Sequence, residues 1–195
     1  MIQIQPALPS DAPMIAPLIM EAMNLECCQW FAGPHHTIDE FQMLMTRLVS
    51  QPSSQYSYLN TLVAVDDSKT DQRVIAGICV SYDGKDLHAL RQAFVSDALA
   101  TFGIDHSGIP DETSAGELYI DSLCVSNEYR HQGIASRLLK ATIEKGQALH
   151  LPTGLLVDKG NPKAEQLYLR LGFVYVDDNE WGGHEMKHLQ HPLEQ

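Results

Sequence analysis

One stretch constrains this chain more than any other: residues 117–139, ELYIDSLCVSNEYRHQGIASRLL. Its first part, Glu117 to Val125, is rich in β-branched and aromatic residues and ends on the apolar run Leu123-Cys124-Val125, the pattern of a strand buried on both faces. Ser126 to Gln132 is a polar turn that gathers Arg130, His131 and Gln132. Gly133 then opens an amphipathic helix, with Ile134, Leu138 and Ala141 beside Ala135, Leu139 and Ile143 at three- and four-residue spacing. Strand, basic turn and helix start together predict an anion site. The first amides of a helix lack internal partners and carry the positive end of the macrodipole. A glycine lets the main chain approach an anion closely, and Arg130 adds a full charge.

The turn carries neither the P-loop glycines nor those of a dinucleotide-binding turn. Its residues Arg130-His131-Gln132-Gly133-Ile134-Ala135 match the pattern R/Q-x-x-G-x-G/A. Further on, Asn161 to Phe173 (NPKAEQLYLRLGF) matches N-x-x-A-x-x-x-Y-x-x-x-G-F at Asn161, Ala164, Tyr168, Gly172 and Phe173. Both patterns, in this order, resemble the GNAT superfamily of N-acetyltransferases, best between Glu117 and Phe173. The resemblance implies a single α/β domain with a mixed sheet of about seven strands flanked by helices. Its fourth and fifth strands would be parallel neighbours that splay apart, and acetyl-CoA would enter the notch.

By position, the resemblance assigns the backbone of Leu123, Cys124 and Val125 to the pantetheine arm and the amides of Gln132, Gly133, Ile134 and Ala135 to the pyrophosphate, with Arg130 and His131 beside them. Asn161 would hydrogen-bond the pantetheine, with Ala164 and Tyr168 also contacting the cofactor. The chemistry implied is direct attack by an amine on the thioester, which needs a base, an acid and donors for the oxyanion. Tyr168 occupies the family's acid position. For the base, strand alternation puts Glu117, Tyr119 and Asp121 on one face unless a bulge intervenes, and either carboxylate then reaches the amine directly or through water. Cys124 lies among apolar residues with no local histidine, so it is not read as a nucleophile.

Elsewhere the chain reads as one domain over residues 1–195. Met1 to Pro6 alternates like a first strand, and a helix is predicted from Pro13 to about Glu26. Trp30 to His36 (WFAGPHH) reads as a loop broken by Gly33-Pro34, and the resemblance makes its Trp30, Phe31, His35 and His36 candidates for contact with the acceptor. Thr37 and Glu40 form a capping box for a helix to Ser50. Tyr58 to Asp66 and Arg73 to Tyr82 read as a hairpin joined by the turn 67–72. Asp86 to Phe102 has helical periodicity, and with the loop 103–116 it makes a helical insertion between the third and fourth strands. Thr153 to Asp158 is a fifth strand. Asn161-Pro162 starts a helix that Gly172 ends, and Phe173 to Asp177 and Gly183 to Leu189 are the last strands. His184 and Glu185 are read as facing solvent.

The net charge of −12 argues against nucleic acid. The four cysteines and nine histidines show no metal-ligand spacing, so no metal is expected. No apolar leader or run long enough to span a bilayer is seen, so a cytoplasmic protein without membrane attachment is expected. The expected partner is a small-molecule or peptide amine, its identity open, with a homodimer through C-terminal sheet edges also open. Two alternatives keep the fold: a non-catalytic acyl-CoA sensor, and transfer of a larger acyl group.

Overall fold

The computed structural model describes residues 1–68 and 73–194. The long apolar run IAGICVSYD forms strand β3 (Ile75–Asp83), buried along almost its whole length because helices cover both of its faces. Around it lie β1 (Ile2–Pro6), β2 (Thr61–Asp66), β4 (Leu118–Val125), β5 (Thr153–Asp158), β6 (Val174–Trp181) and β7 (His184–His191). They form one seven-stranded sheet in the order β1-β2-β3-β4-β5-β7-β6. Every pairing is antiparallel except β4 with β5, the mixed architecture expected.

Six helices are seen among the described residues: α1 (Ala12–Met23), α2 (Leu25–Ala32), α3 (Ile38–Ser50), α4 (Leu87–Phe102), α5 (Ile134–Ala148) and α6 (Pro162–Arg170). Ile15, Ile19, Phe31, Phe41, Leu44 and Phe94 from α1 to α4 pack on one face of the sheet against Val63, Ile78 and Val80. On the other face α5 buries Ile134, Leu138, Leu139 and Ile143 against Ala64, Cys79, Ile120 and Leu155. Each of those four α5 side chains contributes about 1.5–3 kcal/mol by leaving water. The three-layer arrangement places the β4–α5 turn at one end of the sheet.

Three elements differ from the sequence reading. The helix expected to run to Glu26 breaks at Asn24, which adopts φ 74° while its side chain accepts from the Cys27 amide at 2.9 Å. That cap starts α2, so Trp30 and Phe31 sit on a helix, and the chain turns only at Gly33 (φ 78°). Tyr58–Asn60 forms a 3-10 turn capped by Ser57, so β2 starts later than expected. Strands β6 and β7 run longer than expected, because a two-residue Gly182-Gly183 turn with both φ positive keeps the ladder intact to its tip. The capping box of α3, the insertion helix α4 and the bounds of β5 are as read. Of the turn expected over 67–72, residues 69–72 lie outside the described residues.

Candidate functional site

Strands β4 and β5 pair only from Leu118 with Thr153 to Ile120 with Leu155. Beyond Ile120 they part, while β3 goes on pairing with β4 and β7 with β5. By the alternation of the β3–β4 ladder, Cys124 turns its main-chain groups toward β3, so the inner edge exposes the main-chain groups of Leu123 and the amide of Val125 to a cleft of about 1550 Å³, large enough for two substrates together. At the end of β4 the turn makes an anion cradle. Gly133 caps α5 at φ 75°, His131 also has positive φ, and no side chain caps the helix. The first helical amide with a carbonyl partner is that of Arg137, at 3.2 Å from Gly133 O. The N–H groups of Ile134, Ala135 and Ser136 are therefore left for a ligand. A Cβ built on Gly133 would meet nothing within 4 Å, so the concavity is open to an incoming phosphate. Arg130 Nε donates to Val125 O at 3.0 Å and its guanidinium pairs with Glu21, which ties the turn to α1.

A bulge sets the chemistry where the strands part. Val80 pairs with Ser122 and Ser81 with Ile120, so Asp121 is the extra residue of β4. Its carboxylate accepts from Ser122 Oγ at 2.8 Å and Gln55 Nε2 at 3.3 Å, and Tyr82 Oη lies 3.3 Å away. Burial, then the neighbouring Glu112 carboxylate, pushes its pKa up to about 6. Glu112 comes from the insertion. Arg91 on α4 donates to the carbonyls of Ile109 and Pro110 and to the carboxylates of Asp111 and Glu112, and Tyr82 donates to Glu112 at 2.9 Å. A buried arginine thus folds the insertion's loop against the bulge.

Glu117 is placed differently. It is buried, accepts from Thr113 Oγ1 at 2.6 Å and Gln190 Nε2 at 3.1 Å, and lies 2.8 Å from His188 Nε2. It lies where a Cβ on Gly154 would be, which is why glycine occupies that position of β5. Burial alone would raise its pKa, but the bonds from His188, Thr113 and Gln190 outweigh burial and hold it low. The carboxylate in turn raises the pKa of His188.

The cleft brings together Asp121, Leu123, Cys124, Val125, Arg130, His131, Gly133, Ile134, Ala135, Asn161, Ala164 and Tyr168. Glu117 and Gln132 are not in its lining. Asn161 caps α6 by accepting from the Ala164 amide at 3.2 Å, leaving its side-chain N–H groups free for a ligand. Tyr168 has its pKa raised, by burial first and then by the Cys79 thiol, so it stays protonated. Cys27 and Cys124, both in the lining, are pushed up to about 12, chiefly by burial, and are not thiolates at neutral pH. Trp30 and Phe31 line the cleft, whereas His36 packs at a tilt against Phe102 and, with His35, lies outside it. His184 is half-exposed and pairs with Asp158 at 3.0 Å on the rim, and Glu185 faces solvent. Sequence reasoning missed Gln55, Tyr82, Arg91, Glu112 and Trp181, which no local pattern marks.

Among the described residues no group of three or more His, Cys, Asp or Glu side chains is placed to hold a metal, and no helix is long and apolar enough to cross a membrane.

Residues 20–173 match the family model described as acetyltransferase (GNAT) family. An N-acetyltransferase structure from Staphylococcus aureus Mu50 is 25% identical, covers 96% of this chain and 99% of its own, and superposes with a TM-score of 0.79. A second structure, described as an acetyltransferase, is 27% identical over 98% of this chain and 100% of its own, with a TM-score of 0.79. Arabidopsis thaliana NAA60 in complex with acetyl-CoA is 18% identical over 99% of this chain and 100% of its own, with a TM-score of 0.62, a likeness of fold. No curated protein sequence matches the chain.

Proposed function

The chain belongs to the GNAT acetyltransferase family, and from that premise we propose that it moves an acetyl group from acetyl-CoA to a primary amine by direct attack. One observation carries the proposal. The β4–β5 ladder ends at Ile120, and the next residue is a carboxylate whose pKa of about 6 suits a base at neutral pH. The site fits acetyl-CoA. The free amides at the start of α5 suit the pyrophosphate, the open edges of β4 suit the amides of the pantetheine arm, and the Asn161 side chain is free to bond it.

In this reading Asp121 takes a proton from the amine as its nitrogen bonds to the thioester carbon. The β4 main-chain amides beside the notch stabilise the charge on the carbonyl oxygen. Tyr168 gives its proton to the sulfur as the C–S bond breaks, and exchange with water restores both groups. Products are the amide and free coenzyme thiol. The protonated Cys27 and Cys124 favour direct attack over a covalent enzyme intermediate. Glu117, held by three partners away from the cleft lining, is assigned to scaffolding. A sensor without catalysis would have no use for a carboxylate buried at this cost beside the notch.

The test is release of coenzyme thiol with a panel of primary amines. The kcat/KM of the wild type should rise with pH through about 6 as Asp121 loses its proton. Asp121→Asn should lower it about 10²–10⁴-fold and remove that acidic limb. An unchanged rate in the variant removes Asp121 from the mechanism, and a wild type that binds acetyl-CoA without turnover supports the sensor.

A further inference from the structure

Two buried polar atoms in the cleft have no partner among the described residues: Gln55 Oε1, an acceptor, and Trp181 Nε1, a donor. Native interiors pair such atoms, so an orphaned pair in a substrate cleft points to a ligand that completes them. Gln55 is 4% exposed, and its backbone is held by Leu90 O at 3.2 Å and Asn60 Nδ2 at 3.2 Å. Its side-chain orientation is set by Asp121, toward which Nε2 donates, since the flipped amide would turn its oxygen onto a carboxylate. Oε1 is therefore committed to accepting from something beside the proposed base. Trp181 ends β6, on the far edge of the sheet, yet packs against the core cluster of the N-terminal helices that contains Phe31 and Tyr56. The β6–β7 tip thus reaches across the cleft to the acceptor side, where the buried indole N–H is left without a partner.

We propose that Gln55 and Trp181 form an acceptor subsite for a primary amine that carries an uncharged carbonyl group close by, an aminoacyl amide such as a peptide N-terminus. This rests on the acyl-transfer reading of the same cleft. The amine presents one N–H to Asp121 and another to Gln55 Oε1, which aims the nitrogen lone pair along the notch. Indole N–H donates only, so the ligand must carry an acceptor as well. A polyamine or alkylamine has none and leaves Trp181 unpaired. A carboxylate would satisfy the indole, but Glu26, Glu112 and Asp121 line the same end and repel it. A neutral carbonyl accepts from the indole without that repulsion, while the amine N–H pairs Gln55 Oε1. Selection arises because the analogue lacking the group leaves a buried atom unpaired.

The experiment compares kcat/KM for alanyl-glycinamide and propargylamine, an amine of similar basicity that lacks the carbonyl, in the wild type, Trp181→Phe and Gln55→Met, with acetyl-CoA binding measured by calorimetry on each protein. The wild type should favour the amide by at least about tenfold, and each variant should bring the ratio to about threefold or less. Calorimetric binding of the amide to the protein without acetyl-CoA should weaken in both variants. A wild-type ratio near unity overturns the subsite, as does a loss shared equally by both amines in the variants. Acetyl-CoA binding with no turnover of either amine also overturns it. Failure of the wild type to bind acetyl-CoA overturns the acyl-transfer reading itself, a separate outcome.

Discussion

The Gly133 end of the cleft is made of main chain and lies within one contiguous stretch, whereas the acceptor end is made of side chains carried by distant segments. At the first, what matters is which amides are unpaired, a property of the strand ends, the Gly133 conformation and the start of α5. At the second, α2, the Gln55 turn, the insertion's Glu112, the bulge of β4 and the tip of the last hairpin each bring a group or two. Backbone recognition needs few particular residues, so it leaves a short glycine-marked motif in the sequence. Side-chain recognition spreads over the chain and leaves none. A ligand shared by a family suits the first construction, and a ligand peculiar to one member suits the second.

The sharpest way to break that comparison is at Gly133. A Cβ there meets nothing in the protein, and aspartate tolerates positive φ better than most residues, so Gly133→Asp should fold normally by circular dichroism. Its carboxylate would sit where the helix amides face the ligand. Acetyl-CoA affinity should fall at least about a hundredfold by calorimetry. Undiminished binding would mean that the main-chain cradle is not the anion site.

Next in size is Tyr168→Phe, which deletes only an oxygen. If the hydroxyl protonates the departing sulfur, kcat should fall about ten- to a hundredfold with the KM for acetyl-CoA unchanged. A rise in KM alone would make Tyr168 a wall of the pantetheine channel, part of the backbone-type site rather than of the chemistry.

The same contrast explains what was legible in the sequence. Strand β5, the capped helix α3 and the insertion helix α4 follow from hydrophobic period, capping box and proline placement, all local signals. The break at Asn24 was hidden because apolar residues continue across it, and only the backbone at that residue reverses. Alternation put Glu117 and Asp121 on one face, but it carries no register. The extra residue at Asp121 exists only as a relation between β3 and β4. Gln55 and Glu112 reach the site through loops that Asn60 and Arg91 hold from elsewhere. Such placement is tertiary, and no window of sequence contains it.

The smallest effect on rate is expected at Glu117, and it separates the two carboxylates of this strand end by the sign of their effect on stability. Glu117 has its pKa held below the ordinary 4.5 and raises that of His188 above 6.5. The carboxylate's contribution is present above 4.5 and lost as pH falls through its lowered value. The imidazolium's is full below 6.5 and lost as pH rises through its raised value. Glu117→Gln should therefore cost about 1–2 kcal/mol in urea unfolding at pH near 5.5 and less at pH near 8.5, with kcat changed less than about threefold. Asp121 runs the other way. Its pKa is raised from 3.8 to about 6, so the native state binds the extra proton and stability falls as pH rises between those values. Asp121→Asn should then be more stable than the wild type at neutral pH, by about 1–2 kcal/mol, while losing activity. If the signs were exchanged, with Glu117→Gln stabilised and inactive, the base would be Glu117 and the bulge a structural detail. A carboxylate held for structure destabilises the protein when removed, and one held ready for proton transfer stabilises it.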